Sequence, residues 1–258
     1  MTRLSENKLV RKKHYTKADD EVLLVEINAI VAKRPTYGYR RVAALLNQKR
    51  EQKVNLKRVY RVIQRAKLLL PSYGPHKPTR THEGIVATEK SNQRWCSDAF
   101  SIQCENGDQV HVAFVIDSCD REVIRYVAST IGIDGQAIRD LMVESLESRF
   151  GALKSLPRQI QWLSDNGPCY TARDTVNLGR ALGFEVCTTP SYSPQSNGLA
   201  EAFVKTFKRD YVWYGDLSRA TAIMNALPKW FEDYNERAPH KALKMKSPRQ
   251  FLRDLSMA

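Results

Sequence analysis

Residues 94–116 read RWCSDAFSIQCENGDQVHVAFVI, and this stretch decides the fold. Residues 94–104 are predicted to form a strand, residues 105–108 the hairpin turn, and residues 110–116 the partner strand. An aspartate, Asp98, lies in the middle of the first strand, where this residue type is disfavoured unless something uses it. The stretch therefore predicts the start of an antiparallel sheet that carries one acid in need of an explanation.

Strands and helices alternate downstream of this hairpin. The predicted elements are a strand at 122–129, a helix at 136–150, a strand at 159–163, a helix at 173–182, a strand at 185–188 and a helix within 193–211. The order βββαβαβα joins three antiparallel strands to strands that arrive through crossover helices. This order predicts an α/β fold with a mixed sheet covered by helices.

The last of these helices carries one early glutamate among lysines. Its stretch, residues 193–211, reads SPQSNGLAEAFVKTFKRDY. The helical period places Glu201, Lys205 and Lys208 on one stripe and the apolar side chains on another face, namely Ala200, Phe203, Val204, Phe207 and Tyr211. Taken alone, Glu201 and Lys205 are interpreted as an exposed ion pair worth a few tenths of a kcal/mol.

Two further acids, Asp98 and Asp165, bear on the interpretation of Glu201. Asp165 follows the fourth strand in the sequence SDNG, at a strand end, where open α/β sheets bind ligands. Asp165 could also be a turn residue and Asp98 a strand residue that faces water. Asp117 and Asp120 also lie near a strand end and are interpreted as solvated turn acids.

The first third of the chain is predicted to be helical. Residues 19–33, 39–49 and 55–67 show helical periodicity, and the short turn before the last of them suggests a helix-turn-helix. On this third helix Leu56, Val59, Tyr60 and Ile63 are predicted to pack, while a basic stripe is formed by Lys57, Arg61 and Arg65 with Arg58 nearby. The stripe is suited to a DNA groove, and a solvated face of a small bundle is the alternative.

Composition divides the chain into segments. Residues 70–84 are rich in Pro and Gly and indicate a linker. We therefore predict a basic, helix-turn-helix-like DNA-binding domain at 1–75, a linker at 76–90, an α/β core at 91–215 and a basic C-terminal segment at 216–258.

The net charge of +13 is concentrated at the N-terminal end. Residues 1–90 hold 21 Lys and Arg against 8 Asp and Glu, residues 91–204 hold 9 against 14, and residues 205–258 hold 11 against 6. Basic ends that flank an acidic middle favour a polyanion such as nucleic acid as the partner. The acidic middle would repel that partner unless cations lie between them.

Other classes of protein are disfavoured. There is no apolar run of about 18 residues and no signal peptide, so no membrane association is expected. The five cysteines are odd in number and never spaced as CxxC, and the five histidines have no zinc-finger spacing with them. We expect reduced thiols and a cytoplasmic protein without structural zinc.

The acids lie in motifs that resemble the three catalytic blocks of the DDE transposase and retroviral integrase superfamily. The matching blocks are WCSDAF at 95–100, LSDNGPCY at 163–170 and SPQSNGLAEAFVKTFKRD at 193–210, with 35 residues between Asp165 and Glu201. Closer resemblance is to bacterial insertion-sequence transposases of the two-reading-frame type, in which this chain would be the downstream frame. That resemblance lies in PTYGYRRVAALL at 35–46, YNERAPHKAL at 234–243 and KSPRQFL at 246–252.

The resemblance implies an RNase H-like fold and a specific chemistry. Asp98, Asp165 and Glu201 would hold two divalent cations, Mg²⁺ or Mn²⁺, and the protein would cut insertion-sequence ends and join them to target DNA. It further implies that Lys205 and Lys208 touch DNA phosphates near the cut, and that residues 193–198, including Asn197, form a loop facing DNA. Where related sequences often carry Arg, this chain has Ala238, so any role of that Arg is in question here.

The same resemblance implies partners. Double-stranded DNA, as element ends and as target, is the expected substrate of a homo-oligomer in the bacterial nucleoid. The family's upstream frame supplies another helix-turn-helix and a leucine zipper, so an upstream-frame partner or fusion is expected. A DNA-binding regulator without catalysis, and another RNase H-like nuclease such as one cutting RNA in hybrids, are the alternatives.

Overall fold

The computed structural model of the protein describes residues 17–48, 50–71, 88–152, 155–189 and 198–256. The chain divides into two compact units, Met1–Pro71 and Ser72–Ala258. Most of the predicted linker at 76–90 lies outside the described residues.

The N-terminal unit is a small helical bundle. Its helices are α1 (Asp20–Lys33), α2 (Tyr39–Gln48) and α3 (Leu56–Arg65). Asn55 caps α3, because its side-chain oxygen accepts a hydrogen bond from the backbone N–H of Lys57 at 2.8 Å. The core of this unit consists of buried apolar residues from all three helices, among them Leu23, Ile27, Val42, Leu46, Val59, Val62 and Ile63.

The prediction that Leu56 and Tyr60 pack in this core was wrong. Their relative exposures are 42% and 38%, and Val62 is buried in their place. The buried face of α3 follows Val59, Val62 and Ile63, which are spaced i, i+3 and i+4. Tyr60 instead contacts the partly buried ring of Tyr39 edge-on, with ring centroids 5.0 Å apart.

The C-terminal unit is built on a mixed sheet. Its strands are β1 (Arg94–Gln103), β2 (Gln109–Asp117), β3 (Val123–Ser129), β4 (Ile160–Ser164) and β5 (Phe184–Thr188). Their order in the sheet is β3-β2-β1-β4-β5. The pairs β1–β2 and β2–β3 are antiparallel, while β4 pairs in parallel with β1 and β5. This confirms the predicted α/β mixed sheet.

Helices cover both faces of this sheet. They are α4 (Gly135–Phe150), α5 (Pro168–Thr171), α6 (Arg173–Ala181), α7 (Gly198–Asp210), α8 (Ala220–Arg237) and α9 (Pro248–Ser256). One core combines Trp95 and Trp162 of the sheet with apolar residues of α4. The other combines Phe100 and Phe114 with Phe203 and other aromatic residues of α7 and α8. The apolar face predicted for the helix that carries Glu201 is therefore the buried face.

Two features of this unit were not predicted. The single turn α5 begins with Pro168 directly after Gly167, since Pro is well suited to the first position of a helix. The segment 216–258, set apart in the sequence analysis, belongs to the same compact unit as the sheet. Phe231 of α8 stacks on Tyr126 of β3 with ring centroids 4.0 Å apart, and the Asn235 side chain bonds both backbone groups of Val123 at 2.9 Å.

The residue Ala238 has a structural place in this arrangement. It is buried in the core shared with α7 and α8, with 1% of its surface exposed. Its backbone N–H donates to the carbonyl of Asp233 at the end of α8. Because Ala238 is buried, its site accepts a small apolar residue. The neighbouring Arg237 is exposed and lies 3.8 Å from the same aspartate.

The interpretation of Asp117 and Asp120 as solvated turn acids was wrong. Both are fully buried. Arg149 of α4 pairs with Asp120 and Glu122 and lies 3.7 Å from Asp117, whose other oxygen accepts the N–H of Cys119 at 2.7 Å. Burial and the neighbouring Asp120 raise the pKa of Asp117 to about 6. This cluster is stabilised by a cation about 30 residues away, which is why local sequence did not indicate it.

Two arginines of the basic C-terminal segment are also engaged internally. Arg249 of α9 donates to Glu122 at 2.8 Å and to Glu232 of α8 at 2.8 Å. Arg253 pairs with Glu236 of α8 at 3.2 Å. These two arginines bind α9 to the rest of the unit, and carboxylates partly neutralise their charge.

Candidate active site

Asp98 occupies the middle of the central strand β1. Side chains alternate along a strand, so Asp98 shares the face of its neighbours Cys96 and Phe100, and that face is covered by α7. Its Oδ1 accepts the N–H of Ala99 at 2.8 Å. Burial, followed by repulsion from Asp165 and Glu201, raises the pKa of Asp98 to about 6. Both other predicted acids therefore act electrostatically on Asp98.

The sheet register accounts for the nearness of Asp98 to Asp165. The parallel ladder pairs Cys96 of β1 with Leu163 of β4. Two residues further along each strand lie Asp98 and, just after the end of β4, Asp165. Since neighbouring strands are about 4.8 Å apart, this register brings the two carboxylates to the same level.

The loop after Asp165 is held by hydrogen bonds. Asp165 Oδ1 accepts the backbone N–H of Gly167 at 3.0 Å, which is the Asx turn that the sequence analysis considered. A Cβ on Gly167 would lie 3.0 Å from that oxygen, so glycine fits here without a clash. Asn166 Nδ2 donates to the carbonyl of Thr189, which follows β5, at 2.9 Å.

Glu201 lies in the first turn of α7 and is exposed. Its helical neighbours Ala200 and Phe203 are buried against the sheet, which orients the glutamate toward one edge of that contact. Lys205 Nζ lies 3.8 Å from Glu201 Oε2, so the surface ion pair suggested by the sequence is present. Glu201 nevertheless contributes to the raised pKa of Asp98.

The three acids come from three separate elements, and Asp165 and Glu201 both act electrostatically on Asp98. Within the described ranges, no three His, Cys, Asp or Glu side chains lie together closely enough to hold a metal. Each acid is instead engaged by the protein: Asp98 by Ala99, Asp165 by Gly167 and Glu201 by Lys205.

A buried pair beneath the acids was missed by sequence reasoning. Ser97 and Tyr170 are both buried, and their hydroxyl oxygens lie 3.1 Å apart. Ser97 Oγ also lies 2.9 Å from the carbonyl oxygen of Phe114. Burial raises the pKa of Tyr170. The pair joins β1 beside Asp98 to α5 beside Asp165. In the sequence, Ser97 and Tyr170 stood out only because they lie in the same motifs as these two acids.

The lysines predicted to face DNA differ in their surroundings. Lys205 is 80% exposed at its side chain. Lys208 Nζ lies 5.5 Å from the ring centroid of Phe100, so its ammonium group extends back over the sheet. Asn197 lies outside the described residues.

The predicted basic stripe of α3 is divided in two. Lys57 and Arg65 are exposed, whereas Arg58 and Arg61 contact Asp20 of α1 at 2.8 and 3.1 Å. Although partial burial opposes the effect, hydrogen bonds from Arg58, the backbone of Lys17 and Arg61 lower the pKa of Asp20 to about 2. Arg58 and Arg61 therefore have a structural partner within the bundle.

Comparison with known proteins assigns the family. The HTH-like domain model matches residues 17–76, and Integrase core domain models match residues 88–194 and 182–248. The chain is 44% identical over 243 residues to the transposase InsD for insertion element IS2A/D/F/H/I/K of Escherichia coli, covering 91% of this chain and 79% of that protein. This chain belongs to the integrase-core transposases of insertion elements.

Another relative agrees with this family, and a solved structure has a similar fold. The transposase InsD for insertion element IS2-9 of Escherichia coli (strain K12) is also 44% identical, with 91% of this chain and 78% of that protein covered. The fold resembles a chain of the simian T-cell lymphotropic virus intasome in complex with PP2A regulatory subunit B56 gamma. That match has a TM-score of 0.55 and 14% identity, and covers 87% of this transposase and 73% of that chain.

Family and fold confirm several predictions. The protein is a transposase, which is a polynucleotidyl transferase, with an RNase H-like core and a DNA-binding HTH-like domain. Among the helices that the structure describes, none is both long enough and apolar enough to cross a membrane.

Proposed function

We propose that Asp98, Asp165 and Glu201 hold two divalent cations, Mg²⁺ or Mn²⁺, and that with them this transposase cuts the ends of an insertion sequence and joins them to target DNA. The observation that carries the proposal is the sheet register, which sets Asp98 of β1 beside Asp165 at the end of β4, with Glu201 on α7, the helix that covers the same face. Repulsion from Asp165 and Glu201 adds to the raised pKa of Asp98. Carboxylates that repel one another from three different elements are the arrangement that a shared cation relieves.

The donor chemistry fits this proposal. Carboxylate oxygens are the hard ligands that Mg²⁺ prefers. The contacts to Ala99, Gly167 and Lys205 each use one oxygen of their acid. Glu201 lies on an exposed helical turn, so a change of side-chain rotamer is enough to move it away from Lys205. When bound, the cations would activate the attacking hydroxyl and stabilise the leaving oxygen of an in-line displacement.

The chain's own residues have distinct tasks in that reaction. Asp98 is fixed on the central strand and must be ionised to act as a ligand. Asp165 sits on a loop held by Gly167 and Asn166, so it keeps its level relative to Asp98. The attacking group would be water or a DNA 3′-hydroxyl, so the chain needs no Ser, Tyr or His as a covalent nucleophile.

DNA binding would be shared between the two units. The exposed Lys57 and Arg65 of α3 are suited to contact phosphates directly, while Asp20 fixes the guanidinium groups of Arg58 and Arg61 for the same groove. Near the cut, Lys205, Lys208 and Asn197 would touch the strand being processed. The basic excess of residues 1–90 supports the first of these assignments.

Double-stranded DNA provides both substrates, as element ends and as target. We further propose that the protein works as a homo-oligomer on DNA, with an upstream-frame partner or as a fusion to it. Its substrate would place it in the bacterial cytoplasm, at the nucleoid.

The proposal is tested by mapping reaction products. The protein, alone and with an upstream-frame partner, is incubated with DNA bearing the element ends in Mg²⁺, in Mn²⁺ and in a chelator. We expect nicks at the ends and joined products with either metal, and neither in the chelator. Cleavage confined to RNA in hybrids, or DNA binding without any cleavage, would contradict the proposal.

A further inference from the structure

A cavity with a mostly apolar lining and a few cationic side chains lies beside α7, on the sheet unit. It has a volume of about 220 Å³, and α7 contributes Leu199, Phe203 and Thr206 to its wall. The turn after β2 contributes Arg121, and the segment after α8 contributes His240 and Lys241. Glu201 and Lys205 each lie one residue before a lining residue of α7, so the cavity flanks the helix of the candidate active site.

The charges around this cavity have one sign. Arg121 and Lys241 are cationic, and none of the described residues that line the cavity is acidic. A cavity whose charged lining residues are all cationic is suited to an anion.

Arg121 gives the strongest indication of a ligand. Its Nε is buried and has no hydrogen-bond partner among the residues that the structure describes. Its backbone is in the left-handed region, with φ of 64°, and is held there by an N–H bond to the carbonyl of Asp117 at 3.1 Å. An unpaired buried donor and a strained non-glycine backbone both destabilise the fold, and both are typical of residues kept for binding.

We infer that this cavity is a binding site for a phosphate oxyanion. A guanidinium and an ammonium group are the usual partners of phosphate, and the Thr206 hydroxyl can add a neutral hydrogen bond. The volume accommodates several water molecules, so a phosphate group fits. The position beside α7 favours a phosphodiester of the bound DNA, and this source of the phosphate rests on the function proposed above.

The first arm of the test measures DNA binding without catalysis. Arg121→Gln and Lys241→Gln are compared with wild type on a fluorescent duplex of about 30 base pairs and arbitrary sequence, in a chelator, because phosphate contacts are independent of sequence. Each lost phosphate contact lowers the slope of log affinity against log salt by about 0.9. The ratio of affinities between roughly 50 and 200 mM salt then falls by a factor of about 3 to 4. Lys229→Gln, an exposed lysine of α8 that does not line the cavity, is the matched control.

The second arm uses inorganic phosphate as the probe. The melting temperature of the full chain is measured in phosphate and in chloride at equal ionic strength. If the site takes the anion, phosphate raises the melting temperature of wild type and of Lys229→Gln but of neither cavity variant. Lys241 is exposed, so Lys241→Gln keeps the test valid even if Arg121→Gln folds poorly.

The outcomes separate the two sources of phosphate. A reduced salt slope in both cavity variants assigns the site to DNA, whereas loss of the phosphate effect alone assigns it to a free phosphate. Wild-type behaviour of both cavity variants in both arms would overturn the inference. Neither arm requires cleavage, so failure of the catalytic proposal would remain a separate result.

Discussion

Asp98 on β1 and Asp165, just after the end of the neighbouring parallel strand β4, each lie two residues beyond the paired residues Cys96 and Leu163. This register places an acid of the central strand beside the loop that ends β4. It accounts for the contribution of Asp165 to the raised pKa of Asp98.

Asp98→Asn is expected to stabilise the metal-free protein at neutral pH. Burial raises the pKa of Asp98 from 3.8 to about 6, so its proton favours the folded state below pH 4. That contribution is lost as pH rises through 6. Removing the charge should therefore raise the free energy of unfolding at pH 7.5 by about 1 to 3 kcal/mol, allowing for solvent screening.

Urea unfolding in a chelator measures this effect at pH 7.5 and below pH 4. The gain in unfolding free energy of Asp98→Asn should disappear below pH 4. Asp140→Asn, at an exposed position of α4, is the control and should change little. A loss of stability in Asp98→Asn at pH 7.5 would show that its carboxylate is favourably paired in the free protein.

Arg149→Gln is expected to destabilise the sheet unit strongly. The variant leaves the buried Asp117 and Asp120 without their cation, and breaking such a buried pair costs roughly 3 to 5 kcal/mol. Arg125→Gln removes an exposed pair with Glu144 and should cost no more than about 1 kcal/mol. Equal losses in the two variants, measured by denaturant unfolding, would contradict the assignment of a buried charge cluster.

Tyr170→Phe is expected to cost about 1 kcal/mol of stability, because it removes the contact between the buried Tyr170 and Ser97 hydroxyls. Tyr214→Phe, at a ring that is 62% exposed, should leave the unfolding free energy unchanged. Thermal and urea unfolding check this difference. An unchanged unfolding free energy in Tyr170→Phe would mean that this hydrogen bond contributes nothing to the stability of the contact between β1 and α5.

Lys205→Gln is expected to weaken DNA binding without weakening the fold. The ion pair with Glu201 spans 3.8 Å at the surface, so its loss should change stability by less than about 1 kcal/mol. If Lys205 contacts a phosphate, DNA affinity and its salt dependence should both fall, while Lys229→Gln should retain them. Anisotropy titrations distinguish these results. Wild-type DNA affinity in Lys205→Gln would show that Lys205 does not contact DNA.

Much of the sheet unit could be predicted because its signals are local. The hairpin beginning at Arg94 and the apolar face containing Phe203 and Phe207 follow directly from residue patterns. The positions of Asp98 within β1 and Asp165 after β4 were likewise predicted, because both depend only on where strands begin and end.

The features that were not predicted depend mainly on contacts between residues distant in sequence. Asp120 is buried because Arg149 reaches it from another helix, and α8 joins the core through Phe231 and Asn235. In the N-terminal unit, a small difference in helical phase exposed Leu56 and buried Val62. The ion pair of Glu201 with Lys205, by contrast, is local and follows from their i, i+4 spacing on α7.

The most direct test of the proposed catalytic centre is Asp165→Asn, assayed for nicking and strand transfer on end-bearing DNA with Mg²⁺ or Mn²⁺. The amide oxygen of Asn can still accept the N–H of Gly167, so the loop and DNA binding should remain nearly intact. We expect metal-dependent nicking and joining to be abolished, with Asp140→Asn as active as wild type. Unchanged nicking and joining in Asp165→Asn would contradict the assignment of Asp98, Asp165 and Glu201 as the catalytic acids.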